Sequence, residues 1–148
     1  MVTNTERFVS QRQAFEQTYL DDDWTRLAPY FHDDVRYEVM NMPFHCVVER
    51  RDAVFAAMRR SVARFDRLCT RTLGYDATLL EEGDNVFVYG AIKYRRGDSP
   101  EMEVRLWEVA TYRDGRIVRL IDLYDLGARA VYQSWMAAWG DGLDPSYL

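Results

Sequence analysis

Glu103–Tyr112 (EVRLWEVATY) and Ile117–Tyr124 (IVRLIDLY), joined by Arg113-Asp114-Gly115-Arg116, decide how this chain folds. Both runs are rich in β-branched and aromatic residues, and Asp-Gly between them is hairpin chemistry. An antiparallel strand with one wet face alternates apolar and polar residues. These do not. Val118, Leu120, Asp122 and Tyr124 share one face of the second run, and Ile117, Arg119, Ile121 and Leu123 share the other. In the first run Val104, Leu106, Glu108 and Ala110 back onto Arg105, Trp107 and Val109. Both faces therefore need cover. Helices can shield the inner one. A second copy of the chain, meeting Trp107, Ile121 and Leu123, is the simplest shield for the outer one, so a homodimer through that face is expected. A C-terminal helix folded over it within one chain is the alternative.

Working outward, Val86–Tyr94 and Arg67–Leu80 have the same strand-like composition, set apart by Gly83-Asp84-Asn85 and Gly97-Asp98-Ser99-Pro100. Upstream the period is helical. Thr3-Asn4-Thr5-Glu6 has capping-box spacing ahead of Phe8, Phe15 and Tyr19. Asp21-Asp22-Asp23 can cap a short helix holding Trp24 and Leu27, which Pro29 limits to a turn or two. Val35–Asn41 reads as a first strand, and Asp52 precedes a helix with Val54, Met58, Val62 and Phe65 at helical spacing. A last helix carries Val131, Trp135 and Trp139, with Gly140 as its stop. Helices first and hairpins after give an α+β fold with an antiparallel sheet. One domain over residues 1–148 is expected, its core at about 8–125 and a helical tail at 126–148.

At 148 residues, 48% hydrophobic and 29% charged, the chain can build a real core. A net charge of −5 argues against nucleic-acid binding, which needs a basic face. No run is long enough for a membrane span, and the N-terminus lacks a signal-type apolar segment, so a cytoplasmic protein is expected. Cys46 and Cys69 fit no metal spacing and read as free thiols.

Asp23-Trp24-Thr25-Arg26-Leu27, then Tyr30-Phe31-His32-Asp33-Asp34-Val35-Arg36-Tyr37, Arg51-Asp52-Ala53-Val54, and Asp114-Gly115-Arg116-Ile117 followed by Asp122-Leu123-Tyr124-Asp125, form a recognisable set. Together they resemble the SnoaL-like branch of the nuclear transport factor 2-like superfamily, whose members include polyketide cyclases, ketosteroid isomerase, scytalone dehydratase and limonene epoxide hydrolase. The resemblance implies a cone: a curved sheet wrapped around N-terminal helices, an apolar pocket inside, and frequent dimerisation through the outer face. Limonene epoxide hydrolase looks closest, through Asn41-Met42-Pro43 and the end of the last strand. Carried over, Tyr37 and Asn41 would position a water and Asp122 would act as base. Ala91 and Lys93 stand where that family has Arg and Asp, so epoxide hydrolysis is not expected. Val39 stands near the position of the base in ketosteroid isomerase. His32 and His45 fall outside the strands and do not replace the His that cyclases and dehydratases hold in the cone.

Side-chain direction depends on the Asp114-Gly115 turn. A two-residue loop sets Glu108 opposite Ile121; a three-residue loop with Gly115 as a left-handed bulge sets Glu108 opposite Leu120 and Leu106 opposite Asp122. The second turns Leu120 and Tyr124 inward, as the family resemblance requires. Pairing of the preceding hairpin then brings Tyr89 near Glu108, Ala91 near Leu106 and Lys93 near Val104. The expected catalytic set is Asp122, Tyr37, Tyr89 and Glu108. Asn41, Val39, Ala91, Lys93, Leu106, Leu120 and Tyr124 are expected to line the substrate site. Two carboxylates close together in an apolar cone raise one pKa and make a general acid or base, and a tyrosine beside them can donate to a developing oxyanion. The expected function is cofactor-independent and metal-free acid/base chemistry (cyclase, isomerase or dehydratase) on a small apolar, oxygen-bearing metabolite. A binding protein without catalysis, and an accessory subunit of a larger enzyme, are the alternatives.

Overall fold

Thr3 caps α1 (Asn4–Asp21) as its spacing predicts: its hydroxyl accepts from the Glu6 N–H at 3.1 Å, and the Glu6 carboxylate accepts from the Thr3 N–H at 2.8 Å. Phe8, Gln11, Ala14 and Thr18 form the buried stripe of this helix. Asp23 accepts from the Thr25 N–H and opens a 3-10 segment, Trp24–Tyr30, with Pro29 inside it. The computed structural model describes residues 1–73 and 76–148; positions 74 and 75 of the expected Arg67–Leu80 strand lie outside the described residues.

The remaining elements are β1 (Phe31–Met40), β2 (Cys46–Glu49), α2 (Arg51–Arg64), a 3-10 turn (Asp66–Leu68), β3 (Thr70–Leu73), β4 (Thr78–Glu82), β5 (Asn85–Arg95), β6 (Met102–Arg113), β7 (Arg116–Tyr124) and α3 (Ala128–Trp139). The strands form one curved sheet in the order β2-β1-β7-β6-β5-β3, with β4 also paired to β5. Together with the helices it makes the expected cone. The sheet is mixed rather than wholly antiparallel, because β1 runs parallel to β7. Alternation along a strand fixes its faces but carries no information about the direction of a partner eighty residues away. β2 goes unread in the sequence because four residues are too short for a period to stand out. β1 begins at Phe31, earlier than expected, so His32 lies on a strand, in the irregular stretch between Phe31 and Arg36.

The hairpin register departs from expectation and keeps its consequence. Asp114 and Gly115 both have positive φ, 52° and 75°, and Arg113 pairs with Arg116, which is the two-residue turn. An irregularity between Thr111 and Tyr112 then shifts the register by one, so Glu108 stands directly opposite Asp122. The bulge expected in the loop sits in the strands. On the other side of β6, Tyr89 pairs with Trp107, Ala91 with Arg105 and Lys93 with Glu103. This one-residue slip turns Tyr89, Ala91 and Lys93 to the outer register positions and brings Val88 and Gly90 beside Glu108 and Leu106.

In α3 the buried residues are Ala128, Tyr132 and Trp135, whereas Val131 and Trp139 are exposed. Helix α3 packs where β6 begins, its Trp135 indole donating to Pro100 O at 3.0 Å. It leaves Trp107 and Leu123 on the outer sheet face 37% and 36% exposed, so the fold-over alternative for that face does not occur. On the same face Glu38 is buried, accepting from Arg36 Nε at 2.8 Å and Arg119 Nε at 3.0 Å. Burial pushes its pKa up, and the two guanidiniums more than offset this and hold it below the usual carboxylate value. Glu38→Gln is expected to cost about 1–3 kcal/mol at neutral pH, less than a fully buried pair because both arginines can rehydrate. A depressed pKa stabilises only above the unfolded value, so the difference in melting temperature should vanish as pH falls through the carboxylate range.

Candidate functional site

β7 aims Leu120, Asp122 and Tyr124 into the cone, and the parallel neighbour β1 brings Tyr37 beside Leu120 and Val39 beside Asp122. They meet a cavity of about 90 Å³. Tyr37 donates its hydroxyl proton to Asp122 Oδ2 at 2.5 Å. Asp122 Oδ1 is buried and has no hydrogen-bond partner among the described residues. Burial, and then the charge of Glu108 across the strand pair, raise the Asp122 pKa to about 7; the Tyr37 hydrogen bond and Arg12 pull the other way. Glu108 in turn has Arg12 from α1 at 3.8 Å. Burial and the Asp122 charge hold the Tyr37 phenol well above its ordinary pKa, so it stays protonated.

A second carboxyl lines the same cavity. Asp66 follows α2, and burial lifts its pKa to about 6 against the opposing charge of Arg71 and its interaction with the Tyr94 hydroxyl. Between the two walls stands Tyr147, from the segment after α3. Its ring meets Tyr37 edge-on at 5.5 Å, and its hydroxyl lies 3.3 Å from that of Tyr37. Ser61 Oγ donates to Pro145 O at 2.8 Å and the Asp144 N–H to Arg64 O at 3.1 Å, which pins this segment across α2.

Of the residues expected from sequence, Tyr37, Glu108, Leu106, Leu120, Tyr124 and Asp122 come together around the cavity. Val39 is packed in the core behind them. Asn41 does not reach the cavity: it sits at the strand end with φ 68° and donates Nδ2–H to Tyr124 O at 2.9 Å. Tyr89 faces outward, packs on Trp107 with ring centres 4.9 Å apart and hydrogen-bonds Asp125. Lys93 pairs with Glu101 and Glu103. Ala91 is buried opposite Arg105 and does not line the cavity. The slipped β5–β6 register accounts for all three. Gln11, Arg12, Asp66, Arg71 and Tyr147 were not read as site residues. Strand register says nothing about helix and tail residues, and only the helical spacing of Gln11 with Phe15 gave any signal.

The sequence matches the SnoaL-like domain family over residues 12–120, ending two positions before Asp122. No protein of curated function matches it. Among solved structures, an NTF2-like protein of unknown function from Burkholderia pseudomallei is 18% identical with a TM-score of 0.72, covering 93% of this chain and 100% of that one. A Bacillus subtilis protein provisionally assigned as an isomerase is 15% identical with a TM-score of 0.69, covering 92% and 96%. A Xanthomonas campestris protein provisionally assigned as a polyketide cyclase is 18% identical with a TM-score of 0.60, covering 91% and 98%. At such identity these three share the fold alone. With the family match running from α1 into β7, the chain belongs to the SnoaL-like domain family, and it shares its fold with the NTF2-like structure.

Proposed function

We propose that this protein is a cofactor-independent acid/base enzyme that removes a proton beside a carbonyl in a neutral, apolar, oxygen-bearing metabolite, with Asp122 as general base. One observation carries the reading: Asp122 has one oxygen fixed by Tyr37 and the other buried at the cavity without a partner among the described residues. A strand carboxylate in that state destabilises the fold and has no structural return, which is the signature of a functional group. A pKa of about 7 suits a base that must be ionised yet still basic at neutral pH. Tyr37 acts as a positioning residue, since its only proton is committed to Asp122. The isomerase and cyclase assignments of two structural neighbours agree with this class of chemistry. The decisive experiment is hydrogen exchange in D2O: pure protein should speed deuterium entry beside the carbonyl of cyclopentanone. A rate no higher than with matched carboxylate buffer would replace catalysis by plain ligand binding.

We further propose that the chain forms a homodimer through the outer sheet face, because Trp107 and Leu123 stay exposed there. Light scattering at micromolar concentration should give twice the 17.5 kDa chain mass, and Trp107→Glu should give the single mass. A wild-type monomer would remove the idea.

A further inference from the structure

Two side-chain polar atoms of cavity-lining residues are buried without a hydrogen-bond partner among the described residues: Asp122 Oδ1 and Arg71 Nε. The first belongs to the base described above. The second has no part in it. Arg71 stands on β3 opposite Tyr94 of β5, with its side chain only 7% exposed. One terminal nitrogen donates to Glu16 Oε2 at 2.7 Å, and the guanidinium lies 4.2 Å from the centre of the Tyr19 ring. The ion pair and the aromatic face fix the head group, leaving the Nε–H without an acceptor among the described residues. Leaving a buried charged donor unpaired is costly, and such an atom on a side chain that lines a cavity calls for an acceptor that the ligand brings.

Charge decides what kind of acceptor. Two guanidiniums, Arg12 and Arg71, line the cavity against three carboxyls, Asp66, Glu108 and Asp122, and Glu16 already pairs with Arg71. Among the described residues no positive charge is left over for a carboxylate or phosphate ligand. A neutral oxygen that becomes anionic only during reaction fits better. Neither tyrosine expected as the donor to oxygen serves: Tyr37 is committed to Asp122, and Tyr89 lies outside the cavity.

We propose that Arg71 Nε–H is the oxygen subsite of this cavity, holding the carbonyl oxygen of an uncharged ketone whose acidic hydrogen faces Asp122. The proposal rests on the proton-abstraction reading. The Asp122 carboxylate takes the hydrogen from the carbon beside the carbonyl. That C–H electron pair becomes the new C=C bond while the carbonyl π pair moves onto oxygen. The oxygen gains the negative charge beside Arg71, and return of the proton reverses these shifts.

The test follows the Arg71 Nε–H resonance of the 15N-labelled full chain by NMR. The probes are cyclopentanone, methylenecyclopentane of the same shape, and acetate. Cyclopentanone should shift the resonance and bind about tenfold more tightly than the alkene, the worth of one hydrogen bond from a charged donor. Arg71→Lys, which keeps the charge and loses the Nε–H, should abolish that preference. If this variant does not fold, the wild-type spectrum with the three probes still decides between the outcomes. Equal binding of ketone and alkene, no shift with cyclopentanone, or a preference retained in Arg71→Lys overturns the subsite. Tighter binding of acetate overturns the neutral-ligand claim. Asp122→Asn should leave the Arg71 response unchanged. A wild-type chain with that response but no deuterium exchange would fail the base assignment alone, and exchange without the response would fail the subsite alone.

Discussion

Asp122→Asn is expected to slow deuterium exchange into cyclopentanone by about a hundredfold or more, the usual worth of a positioned general base. The same variant should be more stable than the wild type above neutral pH. Asparagine keeps the shape and still accepts from Tyr37, but it has no proton to lose. In the wild type the carboxyl ionises at about 7 in the folded chain, against about 3.9 when unfolded. Between those values the folded chain holds a proton that the unfolded chain has released. A raised pKa therefore stabilises fully below about pH 4 and loses that contribution as pH rises through 7. Asparagine escapes the loss, so its advantage should grow from pH 4 to pH 8 and reach about 2–4 kcal/mol. Denaturant melts at a series of pH values read it directly. Equal exchange in the two proteins would assign Asp122 to structure. An advantage that does not grow with pH would show that some other group carries the buried proton.

That Asp122 faces the inside of the cone was legible from the sequence, and so was its neighbour Glu108. Any even register offset puts Glu108 and Asp122 on one face. The chain reaches such an offset through a strand irregularity, although its turn is the two-residue type. Here the inward demand of Leu120 and Tyr124 was stronger evidence than the turn residues. The β5–β6 pairing had no such anchor. Tyr89 and Ala91 are flanked by Val88, Gly90 and Ile92, so hydrophobic pattern alone does not choose a face for them. The helix and tail contributions were hidden for a different reason. Arg12, Asp66 and Tyr147 reach the cavity across tertiary contacts that no local period records. Arg71 lay within an expected strand, yet its meaning depends on Glu16 and Tyr19 of α1.

Tyr147→Ala is expected to lower the Asp122 pKa by one unit or more from about 7, and to open the site to larger ligands. Burial is the main cause of the raised value, and Tyr147 supplies part of the cover: its ring packs on Tyr37, whose hydroxyl holds the Asp122 carboxylate. At about 90 Å³ the cavity is smaller than the ~150 Å³ hole that accepts benzene in an engineered core. A polycyclic substrate therefore needs the volume that Tyr147 fills. Its segment is held by Ser61 to Pro145, by the Asp144 N–H to Arg64 O, by Phe44 against the Tyr147 ring, and more weakly by the solvent-screened Arg60 and Arg64 to Asp144. Loss of the ring should admit water to the carboxyl, and its 13C NMR titration should move toward the ordinary aspartate value. The low-pH limb of the exchange profile should move with it, because the base is then ionised at lower pH. Tyr147→Phe separates cover from hydrogen bonding: it removes only the hydroxyl near Tyr37 and should leave the titration near 7. An unmoved Asp122 in Tyr147→Ala would mean that the strand walls bury the carboxyl by themselves, and that the tail has no part in tuning the base.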